Sequence, residues 1–272
     1  MKRFKHLVWF ILPLVLATSG CRGRRDDPIL RLSAAEALEI GKQMMDEEKY
    51  YKARRHLTHA FEVEPNSRSG REALLLAADA FFLHGGPDNY IKCEAKYRDF
   101  LNRFPTSDQA DYAQFRVATC LSRRVEKPDR DQKVTREAVV AFEELMRLYP
   151  TSKYIPEARE ELRVITDRLA AHELVIGSFY TNYYGSGICQ ATIGRLENIQ
   201  NDYPEFSQMD AVHYHLGVAY RRCRRQDDAK REFDALANNF PSSKYIPKMR
   251  KFEKQFAREL AKLGKRGRNG AG

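Results

Sequence analysis

Turn-forming residues are scarce in this chain, with 15 glycines and 11 prolines among 272 residues. That is too few to punctuate the many short strands of a sandwich or barrel, so helices are favoured. A polytopic membrane protein is excluded as well, because the apolar run at residues 7–17 is only eleven residues long, against the roughly 20 that a bilayer-spanning helix needs. No C-x-x-C pair occurs among the five cysteines, so spacing gives a zinc site no support. Nor is there a one-sided charge field: 47 Lys+Arg stand against 37 Asp+Glu, and setting aside Lys2, Arg3 and Lys5 lowers the excess from +10 to +7. With 43% hydrophobic and 31% charged residues, the chain fits a soluble globular body of one or two domains rather than a disordered one.

The first twenty residues stand apart from that body. A basic segment at residues 1–6, the apolar run at 7–17, and small residues leading to Cys21 have the layout of a secretory signal. The stretch Leu16-Ala17-Thr18-Ser19-Gly20-Cys21 resembles a bacterial lipobox, with Thr18 where the lipobox usually carries Leu. The resemblance implies cleavage before Cys21 and acylation of it with diacylglycerol and an N-acyl chain such as palmitate. Several chains make such an anchor stable where one chain binds only marginally. Arg22 stands where an Asp would imply retention at the inner membrane, so the resemblance implies the periplasmic face of the outer membrane. Residues 21–32 then read as a lipidated tether, polar around Pro28 and without a core to bury.

A repeat sets the architecture of the rest. An acidic or aromatic residue followed by proline recurs at Pro65, Pro105, Pro150, Pro204 and Pro241, at intervals of 40, 45, 54 and 37 residues, the range of stacked helical pairs. Twelve residues before each proline lie Ala53, Cys93, Ala138, Thr192 and Ala229, and eight before lie Leu57, Tyr97, Phe142, Leu196 and Phe233. The preceding helices place Gly41, Gly177 and Gly217 three residues before Met44, Tyr180 and Tyr220. Small residues let the two helices of a pair approach, large ones fill the groove between them, and proline ends the second helix because it has no N–H to donate. This resembles the tetratricopeptide (TPR) pattern. Extra residues near His84-Gly85-Gly86-Pro87, Gly185-Ser186-Gly187 and across 123–134 account for the uneven period as loop insertions.

The expected fold is therefore all-α, a TPR-like right-handed superhelical solenoid of about five helix pairs. The pairs fall at residues 33–67, 68–107, 108–152, 153–206 and 207–243, followed by a capping helix at 244–263 and a basic tail at 264–272 expected to be disordered. Ser33 with Glu36 reads as a capping box, and Pro156 and Pro247 fit first helical turns. Residues 155–184 read as one long helix, and Ile246, Met249, Phe252, Phe256, Leu260 and Leu263 give the capping helix one apolar face.

Candidate chemistry is thin. Cys93 takes the place of the packing Ala in the second pair, and it and Cys120 read as small buried residues. Export would permit disulfides among Cys93, Cys120, Cys189 and Cys223, with a pairing that sequence does not reveal. His56 and His59 share a helix face while His213 and His215 do not, and two imidazoles without a third ligand are a weak metal signal. Gly185-Ser186-Gly187 has no following Lys-Ser/Thr, unlike a phosphate loop. No nucleophile, base and orienter set emerges. The expectation is a protein without catalytic residues, metal or cofactor. The run Arg221-Arg222-Cys223-Arg224-Arg225 invites a nucleic-acid reading, but export removes that partner and leaves acidic protein or lipid surfaces.

The segments Phe104-Pro105-Thr106-Ser107, Tyr149-Pro150-Thr151-Ser152-Lys153-Tyr154, Leu169-Ala170-Ala171-His172-Glu173-Leu174 with Phe179-Tyr180, and Ala191-Thr192-Ile193-Gly194-Arg195-Leu196 through Tyr203-Pro204 resemble the BamD (YfiO) family, over residues 33–241. The resemblance implies an outer-membrane lipoprotein of the β-barrel assembly machine. Its partners would be the POTRA domains of the barrel-forming subunit, docked towards the C-terminus, and unfolded outer-membrane proteins received in an N-terminal groove. The alternative is another exported TPR lipoprotein serving envelope division, Tol-Pal or pilus assembly. From helix register, the groove candidates are Leu38, Lys42, Met45, Leu75, Asp79 and Phe82, and the docking candidates are Tyr214, Val218, Arg221, Arg222, Arg224 and Arg225.

Overall fold

The computed structural model describes residues 27–181 and 186–269. The signal segment, Cys21 and the first half of the expected tether lie outside the described residues. Among those residues there are eleven α-helices and no strand. The chain divides into two compact units, residues 1–77 and 78–272. In the first, a 3-10 turn at Pro28–Arg31 precedes α1 (Ala34–Asp46), α2 (Tyr50–Val63) and the opening turns of α3 (Arg68–His84). The second holds the end of α3, then α4 (Pro87–Arg103), α5 (Ala110–Ser122), α6 (Lys133–Leu148), α7 (Ile155–Tyr180), α8 (Ser186–Asp202), α9 (Met209–Arg222), α10 (Gln226–Asn239) and α11 (Tyr245–Asn269).

The helix starts follow from local chemistry. Ser33 N–H donates to the Glu36 carboxylate at 2.9 Å and Glu36 N–H donates to Ser33 Oγ at 3.3 Å, the reciprocal capping box. The helix ends are equally uniform. Glu64, Phe104, Tyr149 and Phe240, each just before a proline, take φ between −130° and −137° and ψ between 56° and 72°, outside the α region that the following ring disfavours. A serine in the ensuing turn then fastens back to the first helix of its own pair. Ser152 Oγ donates to Asp111 at 2.6 Å and Ser243 Oγ to Asp210 at 2.6 Å, while Ser207 Oγ donates to Asp167 at 2.8 Å.

Packing follows the small–large register. All ten positions twelve and eight residues before the prolines are buried, from Ala53 and Leu57 at 0% to Phe233 at 6% exposure. A Cβ placed on Gly41 or Gly177 would reach 2.5 Å from Leu57 or Leu196, and one on Gly217 would overlap the Phe233 ring. The glycines are therefore there for close approach, so that the large side chain of the second helix can seat against bare backbone. In the second unit Ala170, Leu174, Ile193, Leu196, Ile199 and Leu216 share one core cluster, each large side chain contributing about 1.5–3 kcal/mol by its burial.

The structure corrects three boundaries. The second half of the expected tether is folded: Asp27 caps the Pro28–Arg31 turn and pairs with Arg55 at 2.5 Å, and the Leu32 carbonyl meets His59 Nε2 at 3.0 Å. The final helix continues to Asn269, so residues 264–269 of the expected disordered tail are helical, as a lysine- and arginine-rich sequence readily is. The long fourth-pair helix ends at Tyr180 rather than 184. Of the expected insertion at 123–134, residues 123–132 form the connection between α5 and α6, and α6 has already begun at Lys133.

Candidate interaction surfaces

The groove candidates sit mainly inside the packing. In the first unit Leu38 and Leu75 are each 4% exposed, so both belong to the core instead of an open groove. Helical spacing alone does not separate an inward apolar face from a groove-lining one. Lys42 bridges Glu39 at 3.1 Å and Glu72 at 2.8 Å. The hydrogen bond that Lys42 donates to the Glu72 carboxylate raises the lysine pKa. Met45 is half-buried.

In the second unit Asp79 is a structural acceptor. Tyr97 and Tyr112 both donate their hydroxyls to Asp79 Oδ1, the second at 2.5 Å, and Arg116 lies 3.8 Å away. The Arg116 guanidinium stands 4.0 Å from the centre of the Phe82 ring, a cation–π contact in partly desolvated surroundings. Burial and the negative Asp79 push both tyrosine pKa values up, so both hydroxyls remain donors. Asp79 and Phe82 thus serve the second and third helix pairs, a correction to their assignment as groove lining.

The docking candidates change character in the same way. Val218 is 4% exposed, and Tyr214 stacks on Tyr245 with ring centres 5.0 Å apart. Arg221 grips Glu253 of α11 through Nε at 2.9 Å and Nη2 at 2.5 Å. Arg222 donates to the Thr181 carbonyl and lies 5.8 Å from the Phe252 ring. Arg225 pairs with Asp228 at 2.5 Å and covers Tyr220 at 4.6 Å. The expectation of a solvated cationic docking cluster is therefore corrected: three of its four arginines brace the fifth pair and the final helix. Only Arg224, at φ 62° beyond the end of α9, is exposed without such a role among the described residues.

Two disulfides join neighbouring pairs. Cys93 of α4 is bonded to Cys120 of α5, with Cα atoms 6.5 Å apart, and Cys189 of α8 to Cys223 just after α9, at 5.8 Å. Cys93 and Cys120 are buried as expected, but as cystine rather than free thiols. The histidines do not converge. His59 holds the Leu32 carbonyl, His213 Nδ1 meets Glu232 at 2.7 Å, and His215 Nδ1 lies 3.2 Å from Thr181 Oγ1. No group of three or more His, Cys, Asp or Glu suited to a metal occurs among the described residues.

Sequence register missed the open surfaces. A cleft of about 730 Å³ lies where the turns before α5 and α7 meet, lined by Asp108, Asp111, Tyr112, Leu148, Thr151 and Tyr154. A second, of about 340 Å³, is lined by Arg159, Leu162, Arg163, Tyr203, Pro204 and Phe206. Both use the proline turns, whose recurrence was visible in sequence, though not their concavity. Apolar side chains are also exposed along the fourth pair: Val175 at 44%, Phe179 at 57%, Tyr180 at 43% and Ile188 at 37%.

Helical hairpins closed by proline turns and packed through small–large contacts define a TPR-type interaction scaffold, and residues 211–243 match the tetratricopeptide repeat model itself. The chain belongs to the YfiO family of outer membrane lipoproteins, whose model matches residues 31–226. Similar curated proteins include the outer membrane protein assembly factor BamD of Caulobacter vibrioides, 24% identical over 84% of this chain and 74% of the relative. The protein of the same name from Rickettsia prowazekii is 24% identical over 89% of this chain and 94% of its own length. That of Neisseria gonorrhoeae is 26% identical over 67% and 70%.

Proposed function

We propose that this chain is a non-catalytic scaffold in the assembly and insertion of outer-membrane proteins. The observation that carries the reading is the family match across residues 31–226 together with relatives of that function by name over most of the chain. It docks to the POTRA domains of the barrel-forming subunit and receives unfolded outer-membrane proteins. The docking surface is the exposed apolar set Val175, Phe179, Tyr180 and Ile188 in place of the internally engaged arginines, since apolar and aromatic anchors supply affinity where rim charges mainly set encounter rate.

The chain is held at the membrane through acylated Cys21, at the periplasmic face. Metabolic labelling with palmitate tests the anchor: label is expected on the native chain, and label retained by Cys21→Ala would refute it. A pull-down from detergent-solubilised envelopes tests the function. Recovery of the barrel-forming subunit is expected, and recovery of division or pilus components without it would overturn the proposal.

A further inference from the structure

The final helix, α11, has two faces of opposite character. Phe252 meets Phe233 of α10 with ring centres 6.3 Å apart and stacks on Phe256, while Tyr245 stacks on Tyr214. Glu253 is taken by Arg221. These contacts fix which way the helix faces. Lys251, Lys254, Arg258 and Lys262 recur at steps of three and four residues and are all exposed, forming one stripe on the side away from the phenylalanines. The stripe is about 16 Å long at the helical rise per residue, and in sequence the same step reaches Lys265. Among the described residues none of these four cations takes part in an ion pair.

That arrangement is unfavourable for a helix that is merely solvated. Like charges at i,i+4 destabilise a helix, whereas an acidic residue four positions before each lysine would stabilise it. Elsewhere the chain uses the favourable pattern, in Glu94 with Arg98 and Asp99 with Arg103. Of the two acids in α11, Glu253 is taken by Arg221 and Glu259 stands at the margin of the stripe, three residues before Lys262. A row in which Lys251, Lys254 and Arg258 have no acid three or four positions away on their outer face is suited to a surface that is itself densely anionic.

We propose that the cationic stripe of α11 binds the headgroup surface of anionic phospholipids, laying the final helix on the membrane as a contact additional to the lipid anchor. Three observations favour a lipid surface over an acidic protein. Three of the four side chains are lysines, point charges on long apolar stems, where bidentate recognition of protein carboxylates favours arginine. The stripe is linear and lacks a pocket, as suits a fluid array of headgroups. The family is one of outer membrane lipoproteins, so a membrane lies within reach.

The test uses residues 22–272, which keep every described residue and exclude acylation. The chain is sedimented with vesicles of phosphatidylethanolamine containing about a quarter phosphatidylglycerol, and separately with phosphatidylcholine vesicles. Binding is expected only to the first, and is expected to be abolished near molar salt, where screening shortens to about 3 Å. Each basic residue near an anionic surface contributes about fivefold in partitioning. The quadruple variant Lys251→Gln, Lys254→Gln, Arg258→Gln and Lys262→Gln is therefore expected to lose at least about tenfold. A variant with the three lysines changed to arginine should bind as the native chain does. Circular dichroism confirms that each variant is folded. Equal binding to both vesicle types, undiminished binding by the quadruple variant, or no binding by the native sequence would each overturn the proposal, whatever acidic protein the chain then captures. None of these outcomes bears on barrel assembly, which the pull-down tests separately.

Discussion

His215 is half-buried between α7 and α11, against Thr181 and Tyr245, and desolvation, aided by the positive Lys248, pushes its pKa down to about 4. Unfolding releases the imidazole to its ordinary value near 6.5, so between these limits the unfolded chain binds more protons. The stability this group contributes is present above pH 6.5 and is lost as pH falls towards 4, by at most about 3 kcal/mol. The melting temperature should decline over that interval, and His215→Gln should flatten the decline. The glycines give a second contrast. A Cβ at Gly194, within α8, meets nothing within 4 Å, whereas one at Gly217 meets Phe233. Gly194→Ala should raise stability by about 0.5–1 kcal/mol, and Gly217→Ala should lower it by about 1–3 kcal/mol, as urea midpoints would show. At Asp79 the loss of an acceptor shared by two buried hydroxyls should cost about 3 kcal/mol in Asp79→Ala. The role of Gly217 was legible, because only a small residue suits that register. The role of Asp79 was not, since helix geometry assigns a face but not the hydroxyls that will reach it.

Among the elements, α11 is held by a few strong contacts. Arg221 makes a two-point ion pair with Glu253 while Arg222 lies over Phe252. Arg221→Ala should cost about 1 kcal/mol, with faster amide exchange expected in α11 before α9 is affected. Pair order, proline ends and the capping box were all readable, because each depends on residues close in sequence. Three features were not. The arginine run has the composition of a solvated patch, and only the packing of α11 supplies Glu253 and Phe252 as its partners. The cystines join residues 27 and 34 positions apart, a pairing fixed by which helices adjoin. The folded stretch after Asp27 depends on Arg55 and His59 of another helix. Long-range partners decided each case, and local pattern carries no record of them.

For the whole molecule, the surfaces available to partners are what the packing leaves uncovered. Phe179→Ala, at a position 57% exposed, should leave the unfolding free energy within about 0.5 kcal/mol of native. It is expected to weaken capture of the barrel-forming subunit by tenfold or more, the loss typical of an aromatic anchor. A reversal of Arg224 alone should change mainly the salt dependence of association. The scaffold class was legible because repetition survives in sequence. Its working surfaces were not, because register predicts what a helix pair buries more reliably than what the assembled pairs leave bare.

Each cystine joins the second helix of one pair to the first helix of the next, tying the second pair to the third and the fourth to the fifth. Under tension applied at its ends, such a chain cannot pay out the segments enclosed by the cross-links. These span 27 and 34 residues, together about 200 Å of extended chain. In a single-molecule stretching experiment the oxidised protein should reach its limit about 200 Å short of the reduced one. The junctions crossed by neither cystine, first to second pair and third to fourth, should lengthen under load while both cross-linked blocks retain their enclosed chain. The fold would then yield at the junctions outside the cross-linked blocks instead of unravelling throughout.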